Sequence, residues 1–452
     1  MIDTLHGWIS AADAFVWGPP LLILLFGTHI FLTIRTAFMQ RYLITAIRLS
    51  VTPERGAAGD VSPFAALTTA LAATIGTGNI VGVATAVSLG GPGAVLWMWL
   101  TGVLGMATKY SEALLAVKYR VKTADGTMLG GPMYALEKGL GLKWAGMLFA
   151  LLTVVASFGI GNMVQANSIS TLAASTFGVN VHLTGIVLAV LTAIVVIGGL
   201  KSIARVCEWL VPFMAIVYVG GCVAILLGNL SLLWPAIELI VASAFSPTAA
   251  AGGFTGASVL MAARYGVARG LFSNESGLGS APIVAAAAQS RNPVRQALVS
   301  ASGTFWDTVV ICLLSGLVIV TAILEEPAVG ALRGSELTAA AFRATLPTFG
   351  PIVLTIGLLT FVFSTILGWS YYGERAAEYL WGKSLILPYR LLWVGAVYAG
   401  SVATLNFVWD FSDLANGLMA VPNLIALLLL SNVVAADTRR YLTSGNLDAA
   451  GD

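Results

Sequence analysis

The chain has 452 residues, of which 58% are hydrophobic and only 10% are charged, with a formal net charge of +2. Soluble domains carry about 25% charged residues, so a chain this apolar must have lipid rather than water as its main solvent. The few charges are scattered over short connections, which excludes a basic surface for nucleic acid. Three histidines that lie far apart and three cysteines without paired spacing exclude a metal cluster. The composition therefore predicts an all-α membrane protein.

Apolar segments of membrane-spanning length follow one another along the chain. A membrane helix needs about 20 mostly apolar residues, and the first such segment is too long for a cleaved signal peptide. Two amphipathic stretches, 39–50 and 231–245, are predicted to lie along the membrane interface. The eleven predicted spans are residues 14–38, 62–88, 93–119, 145–173, 182–200, 206–228, 254–290 (interrupted), 297–323, 349–380, 387–406 and 412–436.

Basic residues in the connections predict the orientation, because cytoplasmic loops are enriched in lysine and arginine. With the N-terminus outside, nineteen of the 23 basic residues fall on the cytoplasmic side. Only Arg264, Arg269, Arg333 and Arg343 remain for the outer half. We therefore expect a multi-pass protein of the bacterial inner membrane with the N-terminus outside and the C-terminus in the cytoplasm.

Glycine and small polar residues interrupt two of the predicted spans, at Thr74–Asn79 and at Gly270–Gly279. When the first span is set aside, ten spans remain, which form two successive groups of five. One break lies in the first span of the first group, and the other lies in the first span of the second group. Since five is odd, the two groups have opposite topology, which is typical of an inverted-repeat transporter with its site between discontinuous helices. The predicted divisions are an extra N-terminal helix with an interfacial helix (1–50), two five-helix repeats (51–245 and 246–436) and a cytoplasmic tail (437–452).

The chemistry of a broken helix indicates what such a site binds. A break in mid-membrane frees backbone N–H and C=O groups, and it persists only around a polar cavity. Free N–H groups at the positive end of a helix dipole suit a carboxylate, and free carbonyls suit Na⁺ or an ammonium group. An amino-acid zwitterion together with Na⁺ satisfies both sets.

Simpler interpretations of the first break also exist. Small residues recur every fourth position from Ala66 to Gly90, so some of these glycines serve helix packing. This stripe explains Gly82 but not the adjoining Gly76, Thr77 and Asn79. A dinucleotide-binding fingerprint is excluded because no strand precedes the glycines.

For other polar residues predicted at membrane depth, the sequence allows more than one interpretation. Asn162 and Gln165 share a helix face and either line the site or bond to neighbouring helices. Ser364 and Thr365 either bind a ligand or donate to carbonyls of their own helix. Asp307 is a functional candidate because buried acids are costly, with Arg264, Arg269 or hydroxyl groups as partners.

Four charged residues near the predicted inner ends, Lys109, Glu112, Glu374 and Glu378, are interpreted as cytoplasmic gate or interface pairs. The sequence contains no catalytic triad, zinc-protease motif or phosphate-binding loop, so we do not predict an enzyme. A channel for small solutes is the alternative from another functional class.

Several motifs resemble those of the alanine/glycine:cation symporter family. The segment Ser62–Ile80 looks like its first core helix, and Gly270–Pro282 looks like its second broken helix, with Ser276 where alanine is common. The remaining similar motifs are Gly91–Ala94, Trp97–Trp99, Met106–Glu112 and Gly130–Tyr134. The similarity extends from about Ser62 to Pro422.

The resemblance implies a leucine-transporter type of fold, with an extra N-terminal helix before a 5+5 inverted-repeat core. It also implies uptake of alanine or glycine coupled to Na⁺, or to H⁺ as the alternative, by a monomer in the lipid bilayer without an organic cofactor. Its substrate pocket would include Thr74, Gly76, Thr77, Gly78, Asn79, Gln165, Phe272, Ser273, Asn274 and Trp369. Its sodium site would use carbonyls near Ala73 and Gly76 and the hydroxyls of Ser364 and Thr365.

Overall fold

The computed structural model describes residues 2–54, 56–245, 259–403 and 406–451, and helices dominate all four ranges. The start of the predicted seventh span, at residues 254–258, lies outside the described residues. The N-terminal part contains α1 (Ile2–Val16), α2 (Pro19–Arg35), a 3₁₀ turn (Met39–Tyr42) and α3 (Leu43–Ser50).

The first predicted repeat contains nine α-helices, three π-helical turns and a short antiparallel hairpin. They are α4 (Pro63–Thr74), a π turn (Gly78–Gly82), α5 (Val83–Gly90), α6 (Ala94–Lys118), β1 (Val121–Lys122), β2 (Met128–Leu129), α7 (Pro132–Tyr134), a π turn (Ala135–Gly139), α8 (Lys143–Phe158), a π turn (Gly159–Met163), α9 (Val164–Phe177), α10 (Val181–Val196), α11 (Leu200–Gly228) and α12 (Leu230–Phe245).

The second predicted repeat and the C-terminal segment follow the gap at residues 246–258. They contain α13 (Val259–Asn274), α14 (Pro282–Ala285), α15 (Pro293–Thr304), a π segment (Phe305–Cys312), α16 (Leu313–Glu325), a 3₁₀ turn (Pro327–Ala331), α17 (Gly334–Thr345), α18 (Phe349–Trp381), a 3₁₀ turn (Lys383–Leu385), α19 (Ile386–Val402), α20 (Asn406–Leu429), α21 (Ser431–Asp437) and a π turn (Thr438–Thr443).

Many of these helices have the length and hydropathy of membrane spans. Within the described residues, seven continuous helical stretches pass that criterion, and the pair α4 and α5 makes an eighth if it counts as one broken span. The chain is thus an all-helical, multi-pass membrane protein. The count of eleven and the division into inverted repeats stay predictions.

Both predicted breaks are confirmed as interruptions of helices. The side chain of Ser62 caps α4 by accepting from the Ala65 N–H at 3.0 Å, and α4 ends at Thr74, where the axis bends by 57°. Helix α13 ends at Asn274, and the next segment has left-handed backbone at Glu275 (φ 54°), Gly277 (φ 94°) and Gly279 (φ 89°). An α-helix cannot continue through residues with positive φ, so these positions fix the second break.

The broken helices lie between two long helices at the centre of the molecule. Helix α6 packs against α13 and α15, and α18 packs against α4, α8 and α11. This packing surrounds the polar backbone of each break with protein, as burial in a membrane requires.

Candidate substrate and ion site

The two breaks meet at one small cavity with a volume of about 20 Å³, which is room for about one water molecule. Most of the predicted pocket residues line it together with part of the predicted sodium site. The cavity is lined by Ala73, Thr74, Gly76, Thr77, Gly78, Ile160, Gln165, Phe272, Glu275, Thr365, Trp369 and Asn416.

Two glycines of the first break allow neighbouring side chains to approach the backbone closely. A Cβ atom at Gly76 would lie 2.8 Å from Thr365 Oγ1, which is closer than real Cβ contacts. A Cβ atom at Gly78 would lie 3.3 Å from Phe272 Cδ1. Glycine therefore allows close approach at both positions, most strictly at Gly76. Gly90 serves helix packing, since its added Cβ would lie 3.0 Å from the Met261 carbonyl oxygen, whereas at Gly82 nothing lies closer than 3.9 Å and the expected packing role is wrong.

The hydroxyl groups of α18 face the C-terminal end of α4, where the sodium site is predicted. Ser364 Oγ lies 3.1 Å from the Ala72 carbonyl and Thr365 Oγ1 lies 3.4 Å from the Ile75 carbonyl. Both hydroxyls also reach the Phe361 carbonyl of their own helix, at 2.8 and 3.0 Å. The predicted elements thus come together, and the carbonyls in contact are those next to the predicted Ala73 and Gly76.

Asp307 is fully buried in the π segment and bonds to both breaks. Its carboxylate accepts from the Asn79 amide, from Ser273 Oγ at 3.1 Å and from Thr308 Oγ1 at 2.8 Å. Asn79 in turn accepts from the Gly76 N–H at 3.0 Å. Of the partners considered for Asp307, the hydroxyl groups are therefore correct among the described contacts, and the arginines are not.

Three predicted pocket residues do not line the cavity. Asn79 and Ser273 belong to the Asp307 network because their polar groups are already engaged there. Asn274 faces a second cavity of about 20 Å³, which Lys109 and Asp307 also line. In this conformation these three side chains lie outside the cavity at the breaks, and a role for them in substrate binding stays a prediction.

Glu112 has a structural role that its sequence position did not suggest. Its carboxylate accepts from the N–H groups of Gly277 and Gly279, at 3.0 and 3.1 Å, and from Asn423 Nδ2 at 2.7 Å. Glu112 thus satisfies backbone donors that the second break exposes. The interpretation of Lys109 and Glu112 as gate or interface residues stays a prediction.

Two polar residues of the cavity, Glu275 and Asn416, and the apolar Ile160 were not predicted as site residues from the sequence. Glu275 lies within the second break, and its carboxylate accepts from Trp369 Nε1 at 3.2 Å and from the Ser280 hydroxyl. The acid within a broken span was a usable signal for Glu275. Asn416 lies on α20, and no pattern in the sequence distinguishes it from other asparagines. Asn162 serves helix packing, because its amide donates to the Trp393 carbonyl at 2.9 Å.

A larger cavity of about 460 Å³, here called the vestibule, extends from the first one toward Thr85 and Ser335. Thr77, Gly78 and Phe272 line both cavities, so the Phe272 ring lies between them. Arg269 stacks over this ring at 5.8 Å, and Trp17 meets its edge at 6.5 Å.

The opposite end of α18 is closed by ion pairs and backbone contacts. Glu374 pairs with Arg375 and with Arg390, the latter at 2.6 Å, and Glu378 also pairs with Arg375. The Val61 N–H donates to the Ala287 carbonyl at 3.2 Å, which joins the segments that flank the two broken helices. The expectation that Glu374 and Glu378 form ion pairs is confirmed, and the cytoplasmic placement of these pairs stays a prediction.

An all-helical membrane protein in which two broken helices enclose a polar cavity, open toward one side and closed toward the other, is a solute transporter. The sequence profile of the sodium:alanine symporter family matches residues 2–449, and the chain belongs to this family.

Two relatives agree with this assignment, and a solved structure shares the fold. The chain is 52% identical to an uncharacterized transporter of Haemophilus influenzae, over 97% of this chain and 96% of the relative. It is 51% identical to the sodium/alanine symporter AgcS of Methanococcus maripaludis, over 96% of each chain. A Na⁺-coupled sialic acid symporter, solved in a substrate-bound outward-open state, shares the fold with a TM-score of 0.50 and 11% identity, over 93% of this chain and 85% of the other.

Proposed function

We propose that this protein imports alanine or glycine together with Na⁺ by alternating access. The observation that carries the proposal is the small cavity at which both helix breaks meet, with backbone, hydroxyl and carboxylate groups around it. Family membership and the name of the AgcS relative support the same substrate and ion.

The substrate carboxylate binds at the turn that starts with Thr77 and Gly78. This turn begins the helical segment Gly78–Gly90, so its N–H groups and the positive end of the dipole point toward the break. The side chain of the substrate faces Phe272 and Trp369, which are aromatic walls of the cavity. In this conformation the cavity has room for about one water molecule, so it must widen toward the adjoining vestibule when the substrate binds. The two aromatic walls then favour a small substrate side chain, such as a hydrogen atom or a methyl group.

Na⁺ binds between the end of α4 and the hydroxyls of Ser364 and Thr365. These hydroxyls already lie beside carbonyls of Ala72 and Ile75, and oxygen atoms of this kind suit a hard cation. Each Na⁺ that enters across a potential of −100 mV contributes about 2.3 kcal/mol, in addition to its concentration gradient. One ion is therefore enough to drive accumulation of the substrate.

With the N-terminus outside, the vestibule opens to the extracellular side and the ion pairs of Glu374 and Arg375 close the cytoplasmic side. Transport then requires Phe272 to cover the site and the cytoplasmic contacts to separate afterwards. The host membrane is the inner membrane of a bacterium.

The test is uptake of radiolabelled alanine by the purified protein in liposomes, driven by an inward Na⁺ gradient. We expect saturable accumulation, stimulated by an inside-negative potential and inhibited by excess glycine. Replacement of Na⁺ by K⁺ should abolish it. Uptake that persists in K⁺ and follows a proton gradient would exclude Na⁺ coupling, and flux that neither saturates nor accumulates would indicate a channel.

A further inference from the structure

Two of the residues that line the cavity at the breaks carry hydrogen-bond acceptors without donors. Gln165 Oε1 and Asn416 Oδ1 are buried and have no hydrogen-bond partner among the described residues. The Glu275 carboxylate lines the same cavity, and among its lining residues Glu275 is the only one that carries a charge. All three side chains are at least nine-tenths buried, at 3%, 2% and 6% exposure.

Neighbouring groups hold two of these acceptors in place. The Gln165 amide donates from Nε2 to the Ile160 carbonyl at 2.9 Å, which leaves Oε1 without a partner. Glu275 receives hydrogen bonds from Trp369 and Ser280, and its own backbone has a φ of 54°. Left-handed backbone at a residue other than glycine is strained, and such strain is concentrated at ligand sites.

The number and kind of these acceptors define the ligand group. An ammonium group has three N–H donors and one positive charge, and the three side chains offer one negative charge and two neutral carbonyl oxygens. Buried acceptors without donors are unfavourable, so a ligand that supplies the donors is bound strongly. A charged pair formed in a buried site is stronger still when hydrogen bonds accompany it.

We propose that Glu275, Gln165 and Asn416 form the subsite for the α-ammonium group of the transported amino acid. This inference rests on the proposed function and identifies the residues that select amino acids over other small acids. A 2-hydroxy or unsubstituted acid of the same size would leave the carboxylate of Glu275 without its cation. Sites built around a buried polar group reject analogues that lack its partner, so such acids are excluded.

The first experiment compares Glu275→Gln with Glu336→Gln, which removes the same charge from the first turn of α17, outside the cavity. Alanine binding to the purified proteins is measured by calorimetry in saturating Na⁺, and Na⁺ binding is measured without alanine by thermal stabilisation. We expect Glu275→Gln to weaken alanine binding more than 10-fold and to change Na⁺ binding less than 2-fold. The Glu336→Gln control should match the wild type in both.

Unchanged alanine binding in Glu275→Gln would overturn the inference, and so would a selective loss of Na⁺ binding, because Glu275 would then be an ion ligand. A second measurement needs only the wild type and remains decisive if the variant does not fold. Lactate and propanoate should fail to displace alanine at 100-fold excess, whereas competition equal to that of glycine would contradict the subsite. These results can be told apart from a failure of the proposed function, because in that case the wild-type protein itself would show no Na⁺-dependent alanine uptake.

Discussion

At the residue scale, Asp307 connects the two halves of the site although it does not line the cavity at the breaks. Its carboxylate accepts from Asn79 of the first break and from Ser273 of the second, and the Ser315 hydroxyl holds the Asn79 carbonyl at 2.9 Å. A movement of one break relative to the other must therefore deform this network. We therefore expect Asp307 to be a positioning residue, which affects substrate binding through the two breaks.

Replacing Asp307 with asparagine keeps the shape of the side chain but turns one acceptor into a donor. At least one of the donors from Asn79, Ser273 and Thr308 then loses its partner, which costs about 1–3 kcal/mol. We expect alanine binding in Asp307→Asn to weaken at least 5-fold, as measured by calorimetry. Thr321→Val is the control, because this buried hydroxyl bonds only to carbonyls of its own helix. Equal alanine affinity in both variants would show that the network does not position the site.

Residue-level roles were predictable from the sequence only where local chemistry determines them. The glycines of the first break and the aromatic wall of Phe272 follow from the break motifs themselves. The partners of Asp307 do not, because Asn79 lies 228 positions away and meets it only after the helices pack. The position of Asn416 in the cavity was not predictable either, because it depends on how α20 packs against the other helices.

At the element scale, the close contact between α4 and α18 brings the predicted sodium ligands together. A Cβ atom at Gly368 of α18 would lie 2.7 Å from the Ala73 backbone nitrogen, so only glycine allows this distance between the helices. The contact lies one turn from Ser364 and Thr365, whose hydroxyls reach the end of α4.

Gly368→Ala should therefore separate the two helices and weaken Na⁺ binding. Overpacking of this kind costs about 1–3 kcal/mol, and we expect the Na⁺ concentration for half-maximal alanine uptake to rise about 10-fold. Gly395→Ala on α19 is the matched control, since nothing lies within 4 Å of its added Cβ. An unchanged Na⁺ dependence in Gly368→Ala liposomes would argue against a sodium site at this contact.

The positions of the helices and of their breaks were predicted better than the contacts between helices. Hydropathy located the long helices and glycine content located the breaks, because both signals are local in the sequence. Helix α6 contains Lys109 and Glu112 within its buried length, and charge alone placed them at a membrane surface. The burial of Glu112 is compensated by the N–H groups that the second break directs toward it, which is a tertiary contact.

At the scale of the whole molecule, the vestibule and the ion pairs lie at opposite ends of the site, so the orientation in the membrane decides which solution reaches the substrate. Ser335 lines the vestibule, and Ser444 is exposed near the C-terminus. The native cysteines Cys207, Cys222 and Cys312 are all buried, which keeps background labelling low.

Single cysteines at these two positions test the orientation in intact cells. We expect a membrane-impermeant maleimide to label Ser335→Cys from outside and to label Ser444→Cys only after permeabilisation. Saturating alanine with Na⁺ should slow labelling of Ser335→Cys, because closure over Phe272 narrows the vestibule. The reverse labelling pattern would invert the predicted topology.

The central claim is that an amino acid and Na⁺ bind together at the paired breaks, and their mutual effect on binding tests it most directly. Alanine affinity of the purified protein is measured over a range of Na⁺ concentrations, and Na⁺ affinity is measured with and without alanine. We predict that Na⁺ tightens alanine binding and that alanine tightens Na⁺ binding by the same factor, as thermodynamic linkage requires. Alanine binding of equal strength in Na⁺ and in choline would contradict the account.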